Sequence, residues 1–447
     1  MRLVQWLAAL AIVAVPALAA QPSDSSGGSS STDSDGGVSM DLDVIAKQLD
    51  IARQEIQPSL GATTYNFSPQ ALQDFPQGDN APLNQVLLQA PGVAQDSFGQ
   101  IHLRGEHANV QYRLNGVELP EGLSVFGQAI ESRFAASMRL ITGALPAQYG
   151  FQTAGVVDIQ TKTGTTNPGL AISMYGGQQN WAQPSFEYGG RSGAVDWFVT
   201  ADYLHNDIGI ENPTTSFNPV HDNTNQFHGL AYVSAIIDPD TRISVILGGF
   251  EGQFQIPNNP GQPTLGFAVN GISNFNSAKL NENQQERTDF SIISLQKHVT
   301  DIDVQISAYT RYSSLSFSPD WLGDLLFNGI AQQATRSDAA YGVQADGSWR
   351  INEDHTLRFG FLAQQEIGNG KTFSQVLPVD STGIPTTDVP TGVPNSFTKT
   401  GGLEGMYVQD EWHILPAVTL NAGVRFDADG SGTQAPSKRS DRRRAMR

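Results

Sequence analysis

The sequence predicts a compact mixed α+β domain followed by antiparallel transmembrane β-barrel strands, and three observations carry that reading. No apolar run approaches the roughly 20 residues that a membrane-spanning helix needs, so any crossing must use strands. Residues 165–428 instead break into about eleven segments of about ten residues in which apolar and polar positions alternate. Tight turns and long polar connections then take turns between those segments, as in a barrel with one short-loop rim and one long-loop rim.

Composition narrows the class further. Of 447 residues, 39% are hydrophobic and only 16% charged, which leaves a large share of Gly, Ser, Thr, Asn and Gln suited to many short strands. A formal net charge of −18 excludes nucleic-acid binding, because phosphate neutralisation needs clustered Lys and Arg. The plain meaning of that acidity is solvation of exposed loops. With no cysteine, the chain has no disulfide, no thiolate metal site and no lipid-modified N-terminal Cys.

The elements follow in order. Residues 1–19 form a secretory signal peptide: Arg2, an apolar run over 3–15, Pro16, and the small-residue site Ala17-Leu18-Ala19 with cleavage after Ala19. Residues 20–40, rich in Ser, Gly and Asp, are expected to be a flexible linker. Over 41–58, Leu42, Ile45, Leu49, Ala52 and Ile56 share one helical face, and Pro58 ends the pattern.

A compact domain is expected over 61–164. Asp79-Asn80-Ala81-Pro82 opens a helix whose apolar face is Leu83, Val86, Leu87 and Ala90, and Pro91-Gly92 stops it. A short strand is predicted over 100–103. Asn115-Gly116 between 110–114 and 117–119 predicts a hairpin, because both residues tolerate the positive φ of a type I′ turn. A second helix is expected over 129–138. The stretch 141–164 is a loop punctuated by Gly143, Pro146, Gly150 and Gly155 that feeds an alternating strand over 156–161.

Barrel candidates run from 168–177 to 418–427. Asp238-Pro239-Asp240, Thr300-Asp301 and Asn352-Glu353-Asp354 are tight turns, whereas 253–286, 317–336 and 368–401 are long and polar. A soluble β-sandwich accounts for the strands but not for this alternation.

Four segments of the first domain then occur together: LNQVLLQAPGV over 83–93, IHLRG over 101–105, LNGVELP over 114–120, and 141–164. Their order and spacing resemble the plug domain of TonB-dependent outer-membrane receptors. MYVQDEWHILPAVTLNAGVRFDA over 406–428 resembles a strand, turn and strand of their barrel, so the likeness extends over 42–428.

The resemblance implies a plug domain at 61–164 and a partial barrel at 165–428. It also implies energy-coupled uptake of a scarce small-molecule nutrient, without a cofactor and without catalysis. The expected setting is the outer membrane of a Gram-negative bacterium, reached through the periplasm, with outer-membrane lipid around the barrel and a TonB-type energy-coupling protein as partner. By position the coupling segment, or TonB box, is Leu42, Asp43, Val44, Ile45, Ala46 and Lys47, captured by strand addition. The helical spacing of the same residues is a competing signal, and both readings stand. The resemblance further implies plug cations that dock on barrel carboxylates; Arg104 and Arg139 are the candidates, with Glu187, Glu251 and Glu411 opposite them. Ordinary surface charge is the plain alternative. The ligand-binding residues are not identifiable.

No nucleophile elbow, phosphate-binding loop or dinucleotide fingerprint occurs. The eight histidines are scattered, and His102 and His107 lack a zinc-site spacing. Asp427 and Asp429 before Gly430, like Asp33 and Asp35 before Gly36, lack the other ligands of a calcium loop. No metal site is expected.

About eleven strands is half of the 22 that a plugged transporter has. Residues 429–447 form a Gly, Ser and Arg-rich tail where more strands are expected, so the sequence is expected to be a truncated receptor. The alternatives are a genuine short form, a non-transporting fragment, or a periplasmic plug-like binding module without a closed barrel.

Overall fold

The computed structural model describes residues 35–57, 62–96, 100–107, 109–120, 122–123, 130–210 and 212–434. The expected signal peptide, most of the linker and the tail beyond 434 lie outside the described residues. Residues 1–40 and 41–447 separate as two compact units, and every contact below lies within the second.

Helix α1 spans Asp35–Glu55, so it begins inside the stretch expected to be linker. A helix adds residues cheaply once formed, and α1 is anchored further along, where Leu49 and Ala52 are buried together with Ile56 just beyond its end. Arg53 in its last turn complements the helix dipole.

The plug-like domain follows as β1 (Thr63–Phe67), α2 (Pro69–Gln73), α3 (Leu83–Leu87), β2 (Val93–Gln95), β3 (Ile101–Leu103), β4 (Glu106–His107), β5 (Val110–Leu114), β6 (Val117–Leu119), β7 (Ala135–Thr142) and β8 (Gly155–Thr161). Ser68 caps α2 by accepting from the Ala71 N–H at 3.2 Å. The main sheet has the order β1-β7-β8-β5-β6, antiparallel except for β5 beside β8. Between β5 and β6, Asn115 and Gly116 adopt φ of 50° and 83°, the turn that their identities predict.

The helix expected over 129–138 does not form. Ser132–Phe134 make a single 3-10 turn, and β7 starts at Ala135. Its partners decide the matter: β7 lies between β1 and β8, with Met138 and Leu140 buried at the strand period, and such pairing overrides local preference. Strand β8 departs from expectation differently, since all its residues but Gln160 are buried. A central strand covered on both faces has no wet side, and Asp158 is tolerated there because Arg139 pairs with it at 2.9 Å.

The rest of the chain is a wall of eleven antiparallel strands in sequence order. They are β9 (Gly169–Gly176), β10 (Ala182–Ser192), β11 (Val195–Asn206), β12 (Thr224–Asp238), β13 (Thr241–Gln255), β14 (Asn283–Val299), β15 (Ile302–Ser318), β16 (Ile330–Arg350), β17 (His355–Val376), β18 (Thr391–Leu415) and β19 (Val418–Gln434), with β9 and β19 at the edges. Helix α4 (Trp321–Asn328) lies between β15 and β16. No described helix is long and apolar enough to cross a membrane.

Side chains alternate across this wall. On β16, Gln344, Asp346 and Ser348 are buried, whereas Tyr341, Val343 and Trp349 are 40–44% exposed on the opposite face. The first set faces the plug. One apolar core runs through both, with Leu87, Leu103, Leu114 and Val157 of the plug packed in a cluster that includes Phe198, Leu230, Tyr232 and Phe290 of the wall.

Three long loops come out shorter than expected, at 256–282, 319–329 and 377–390, because the strands continue past the alternating segments. Gly, Ser, Thr and Gln in those extensions carry no period-two signal, yet the ladder continues through them, as in Thr372 opposite Asn395. Likewise β19 takes in 429–434 of the expected tail, pairing Asp429 with Leu403 and Gln434 with Thr398.

The same three loops pack on one another. Leu325 and Leu326 of α4 share a small core with Val269 and Leu377, Leu377 donates to the Gly329 carbonyl at 2.9 Å, and Gly271 donates to Asp388 at 2.8 Å. Beneath them burial, followed by a hydrogen bond to Glu282, pushes the Asp324 carboxyl up to about 8.

Two outcomes are expected. A carboxyl whose pKa is raised in the folded cap binds more protons there than when released, so its contribution is complete below about pH 4 and is lost as pH rises through about 8. Trypsin cleavage at Lys279, corrected for enzyme activity, should therefore accelerate between pH 6.5 and 8.5 in the native chain and not in Asp324→Asn; an identical acceleration in both disproves the coupling. In the shared core, Leu114→Ala should cost about 2–5 kcal/mol, read as a lower midpoint in a denaturant series.

Candidate functional site

The strand ends give the wall a direction. Short turns at 193–194, 239–240, 300–301, 351–354 and 416–417 lie at one rim, and the long loops lie at the other. The plug hairpin climbs the wall along β15: Gln305 donates to the Asn115 carbonyl at 3.0 Å, Arg311 to the Pro120 carbonyl at 3.1 Å, and Ser313 accepts from the Leu123 N–H at 2.8 Å. That climb carries residues 118–120 and 122–123 toward the long-loop rim.

There the plug and wall leave a cavity of about 610 Å³. Glu118, Leu123, Phe151 and Gln152 line it from the plug, and Arg336, Asp338, Gln364, Glu366, Asn369 and Phe397 from β16, β17 and β18. Its size falls in the range of small-molecule sites.

Below the cavity, charged groups lock plug to wall. Arg113 of β5 reaches Asp346 of β16 at 3.5 Å, with both side chains at least nine-tenths buried, and Asp346 also accepts from Tyr407 Oη at 2.7 Å. Burial works against the Arg113 charge, yet Asp346, Tyr149 and Glu118 outweigh it and raise its pKa above the ordinary arginine value. Burial likewise pushes the Tyr149 hydroxyl up to about 12, and the Arg113 guanidinium lies over its ring at 5.2 Å. On β10, Glu187 accepts from Arg133 at 3.1 Å and from Lys162 at 3.3 Å, while Lys162 also reaches Asp79 at 3.0 Å.

A third contact is a histidine bridge. His228 of β12 places Nε2 at 3.1 Å from Glu131 of the plug and Nδ1 at 3.3 Å from Asp202 of β11. The three could hold a metal ion by proximity. The carboxylates, however, face opposite nitrogens of one ring, so a single imidazole sits between a plug carboxylate and a wall carboxylate. Burial pushes the Glu131 carboxyl up to about 7, opposed by His228.

At the other end of the plug, Asp196 of β11 accepts from the backbone N–H groups of Gly164 and Thr165, each at 2.8 Å. A Cβ on Gly164 would run into the backbone oxygens of Gly190 and Trp197, so the chain touches the wall here main chain to main chain.

Helix α1 lies at the short-turn rim. Asp43 pairs with Arg191, Asp50 with Arg242 at 2.7 Å, and Glu55 with Arg350 at 2.7 Å, while Arg358 donates to the Glu55 carbonyl at 3.2 Å. The acidic partners are 41–44% exposed. Leu42, Asp43, Val44, Ile45, Ala46 and Lys47 are all helical, and Val44 and Lys47 face solvent.

The expected docking cations behave otherwise. Arg104 donates to Thr142 Oγ1 at 3.1 Å and Arg139 pairs with Asp158, both contacts inside the plug. The cations that cross to the wall are Arg113, Arg133 and Lys162. Of the three carboxylates named from sequence, Glu187 meets the plug, Glu411 pairs with Arg358 at 2.8 Å within the wall, and Glu251 accepts from Gln285 on the outer face. One signal was available for Asp346, Asp202 and His228: each is polar at an inward position of its strand.

Residues 249–444 match the family described as TonB dependent receptor-like, beta-barrel. No curated protein matches the chain in sequence. Among solved structures it is similar to the ferripyoverdine receptor of the outer membrane of Pseudomonas aeruginosa, with 15% identity and a TM-score of 0.63 over 84% of this chain and 53% of that one. It is similar also to the ferric yersiniabactin uptake receptor FyuA from Yersinia pestis, with 14% identity and a TM-score of 0.60 over 83% and 60%. The copper transporter OprC aligns with 14% identity and a TM-score of 0.64 over 84% and 56%. The chain thus spans between about half and three-fifths of the length of these structures, and at such identities the likeness carries the fold. A wall matching that family from 249 on, with a mixed α+β domain lodged against its inner face, gives this chain the plug-and-barrel fold of the TonB-dependent outer-membrane receptors.

Proposed function

We propose that the chain serves as a receptor for energy-coupled uptake of a scarce small-molecule nutrient, working in the outer membrane of a Gram-negative bacterium that it reaches through the periplasm. One observation carries this reading: the cavity of about 610 Å³ and the rim-bound segment 42–47 lie at opposite ends of a single plug. A ligand seated above and a partner grasping below would be joined by the plug alone. Similar structures described as a ferripyoverdine receptor, a ferric yersiniabactin uptake receptor and a copper transporter support uptake of a small ligand.

The partner on this reading is a TonB-type coupling protein that adds residues 42–47 to a sheet edge. Strand addition needs extended backbone, so α1 must first unwind. Of its rim pairs, Glu55 with Arg350 is exposed on both sides and contributes only about 0–1 kcal/mol, whereas Arg191 and Arg242 are mostly buried against their half-exposed carboxylates. The buried plug contacts are of another order: removing one member of such a pair costs about 3–5 kcal/mol.

The membrane assignment is tested by expressing the full chain and measuring heat-modifiable migration of outer-membrane fractions, which is expected; absence from that fraction sinks the receptor reading. For the coupling segment, Ile45→Pro should abolish capture by the periplasmic domain of the partner, and unchanged capture removes 42–47 from the role. Converting Arg191, Arg242 and Arg350 together to Ala should strengthen that capture up to about tenfold, equivalent to about 1.4 kcal/mol. For the plug, Glu187→Gln should destabilise docking by about 3–5 kcal/mol, seen as faster proteolysis of the plug, whereas Glu251→Gln should stay within about 0.5 kcal/mol of the native chain.

A further inference from the structure

Two carboxylates and an imidazole meet, buried, inside the seam between plug and wall. Asp202 and His228 are directly opposed across β11 and β12, so the ladder itself sets them side by side on the inner face. Glu131 comes from the plug, one residue ahead of the turn Ser132–Phe134. It stands where a helix cap would, yet its side chain caps nothing and is turned to the wall. All three side chains are at least nine-tenths buried.

Hydrogen bonding within the protein does not exhaust this cluster. Asp202 Oδ2 accepts from Gln183 at 3.0 Å and lies 3.3 Å from His228 Nδ1, which assigns the ring proton to Nδ1. Nε2 then carries a lone pair 3.1 Å from Glu131, and neither Nε2 nor Asp202 Oδ1 has a hydrogen-bond partner among the described residues. Buried polar atoms are rarely left so. The two acids are also close to each other: an oxygen of Glu131, an oxygen of Asp202 and a ring nitrogen all lie within 4.8 Å of one another. Like charges in that position need a cation between them, and Arg133, the plug cation beside them, gives its terminal nitrogens to Glu187 and Asn80.

The donor set narrows the choice of cation. Calcium and magnesium favour oxygen alone, whereas zinc takes imidazole and carboxylate together at about 2.0–2.2 Å. Reaching those lengths from the present spacing takes side-chain movements of under about 1 Å. The ring is already held for the task, by Asp202 Oδ2 at its edge and by Phe250 stacked on its face at 5.1 Å, and Asp202 keeps Oδ1 free for an ion.

We propose that Glu131, Asp202 and His228 form a zinc site that staples the plug to the wall. No motif announces it, because the ligands come from three elements far apart in the chain. Glu131 leaves with the plug, so the complete ligand set exists only in the docked arrangement, and zinc strengthens docking by mass action. The proposal needs the plug-and-wall fold alone and stands apart from the uptake reading.

The test uses the full untagged chain in detergent micelles, with heat-modifiable migration as the check of its folded state. After loading with zinc chloride and dialysis against dilute EDTA, elemental analysis should find about one zinc per chain, kept because the site is buried, while more exposed pairs such as His355 with Asp410 lose theirs. Glu131→Gln and His228→Gln should each lower the retained zinc by about tenfold or more, and Glu251→Gln, on the outer face, should leave it unchanged. Cobalt(II) loaded in place of zinc should show the strong visible absorption of a four- or five-coordinate ion, a reading on the native chain that decides the matter should a variant fail to fold. Absence of retained zinc from the native chain, or only the weak bands of hydrated cobalt, overturns the site and leaves a proton between Glu131 and His228. Retention by either folded variant equal to that of the native chain overturns it as well.

Discussion

A buried charge must keep its partner, and the way plug and wall are joined depends on that constraint. Arg113 and Asp346 meet in a place that water does not reach, and each would be costly there without the other. Such a pair adds little net stability over an apolar contact of the same shape. What it adds is position, because only one docking of plug on wall brings Arg113 to Asp346, Arg133 and Lys162 to Glu187, and Glu131 to His228 at once. The apolar cluster that runs through both parts holds them together without directional preference, and the charges choose the register.

The wall obeys a second constraint on its other face. On the proposed receptor reading that face meets hydrocarbon, which offers no hydrogen bonds, so its backbone groups must be met by neighbouring strands. Nine of the eleven strands have two such neighbours, while β9 and β19 have one each within the described residues. Side chains such as Ile172, Leu247, Phe361 and Val424, exposed by 48–78%, form an apolar outer surface that water would not favour. The polar inner face and apolar outer face are products of one alternation, which is why the strands most easily found from sequence are also those that carry the plug contacts.

How far the molecule is legible in its sequence follows from the range of the forces involved. The hairpin at Asn115-Gly116 is legible because positive φ is a local property of two residues. All eleven wall strands are legible because a half-apolar surface writes itself into the chain at period two. Strand β7 is not, since 132–142 suits helix or strand locally and only the presence of β1 and β8 decides. Nor are the extensions at 330–336, 368–376 and 391–401, where apolar residues are too sparse to mark a face and the ladder maintains the strand. For the docking cations the obstacle is geometry: Arg104 and Arg113 are equally charged, and nothing in nine residues of sequence tells which of them faces the wall.

Gly164 has a mechanical meaning. Its backbone is pressed on the backbone of β10 and β11, and Asp196 ties down the two N–H groups at that point, so the plug is stitched to the wall at its trailing end. A domain stitched there cannot swing out as a rigid door. On the proposed coupling reading, tension applied at the leading end through α1 would reach β1 first, and β1 has one strand neighbour among the described residues, β7. On that reading the plug would fray from this edge toward the stitch, and a passage would run along the seam beside β1.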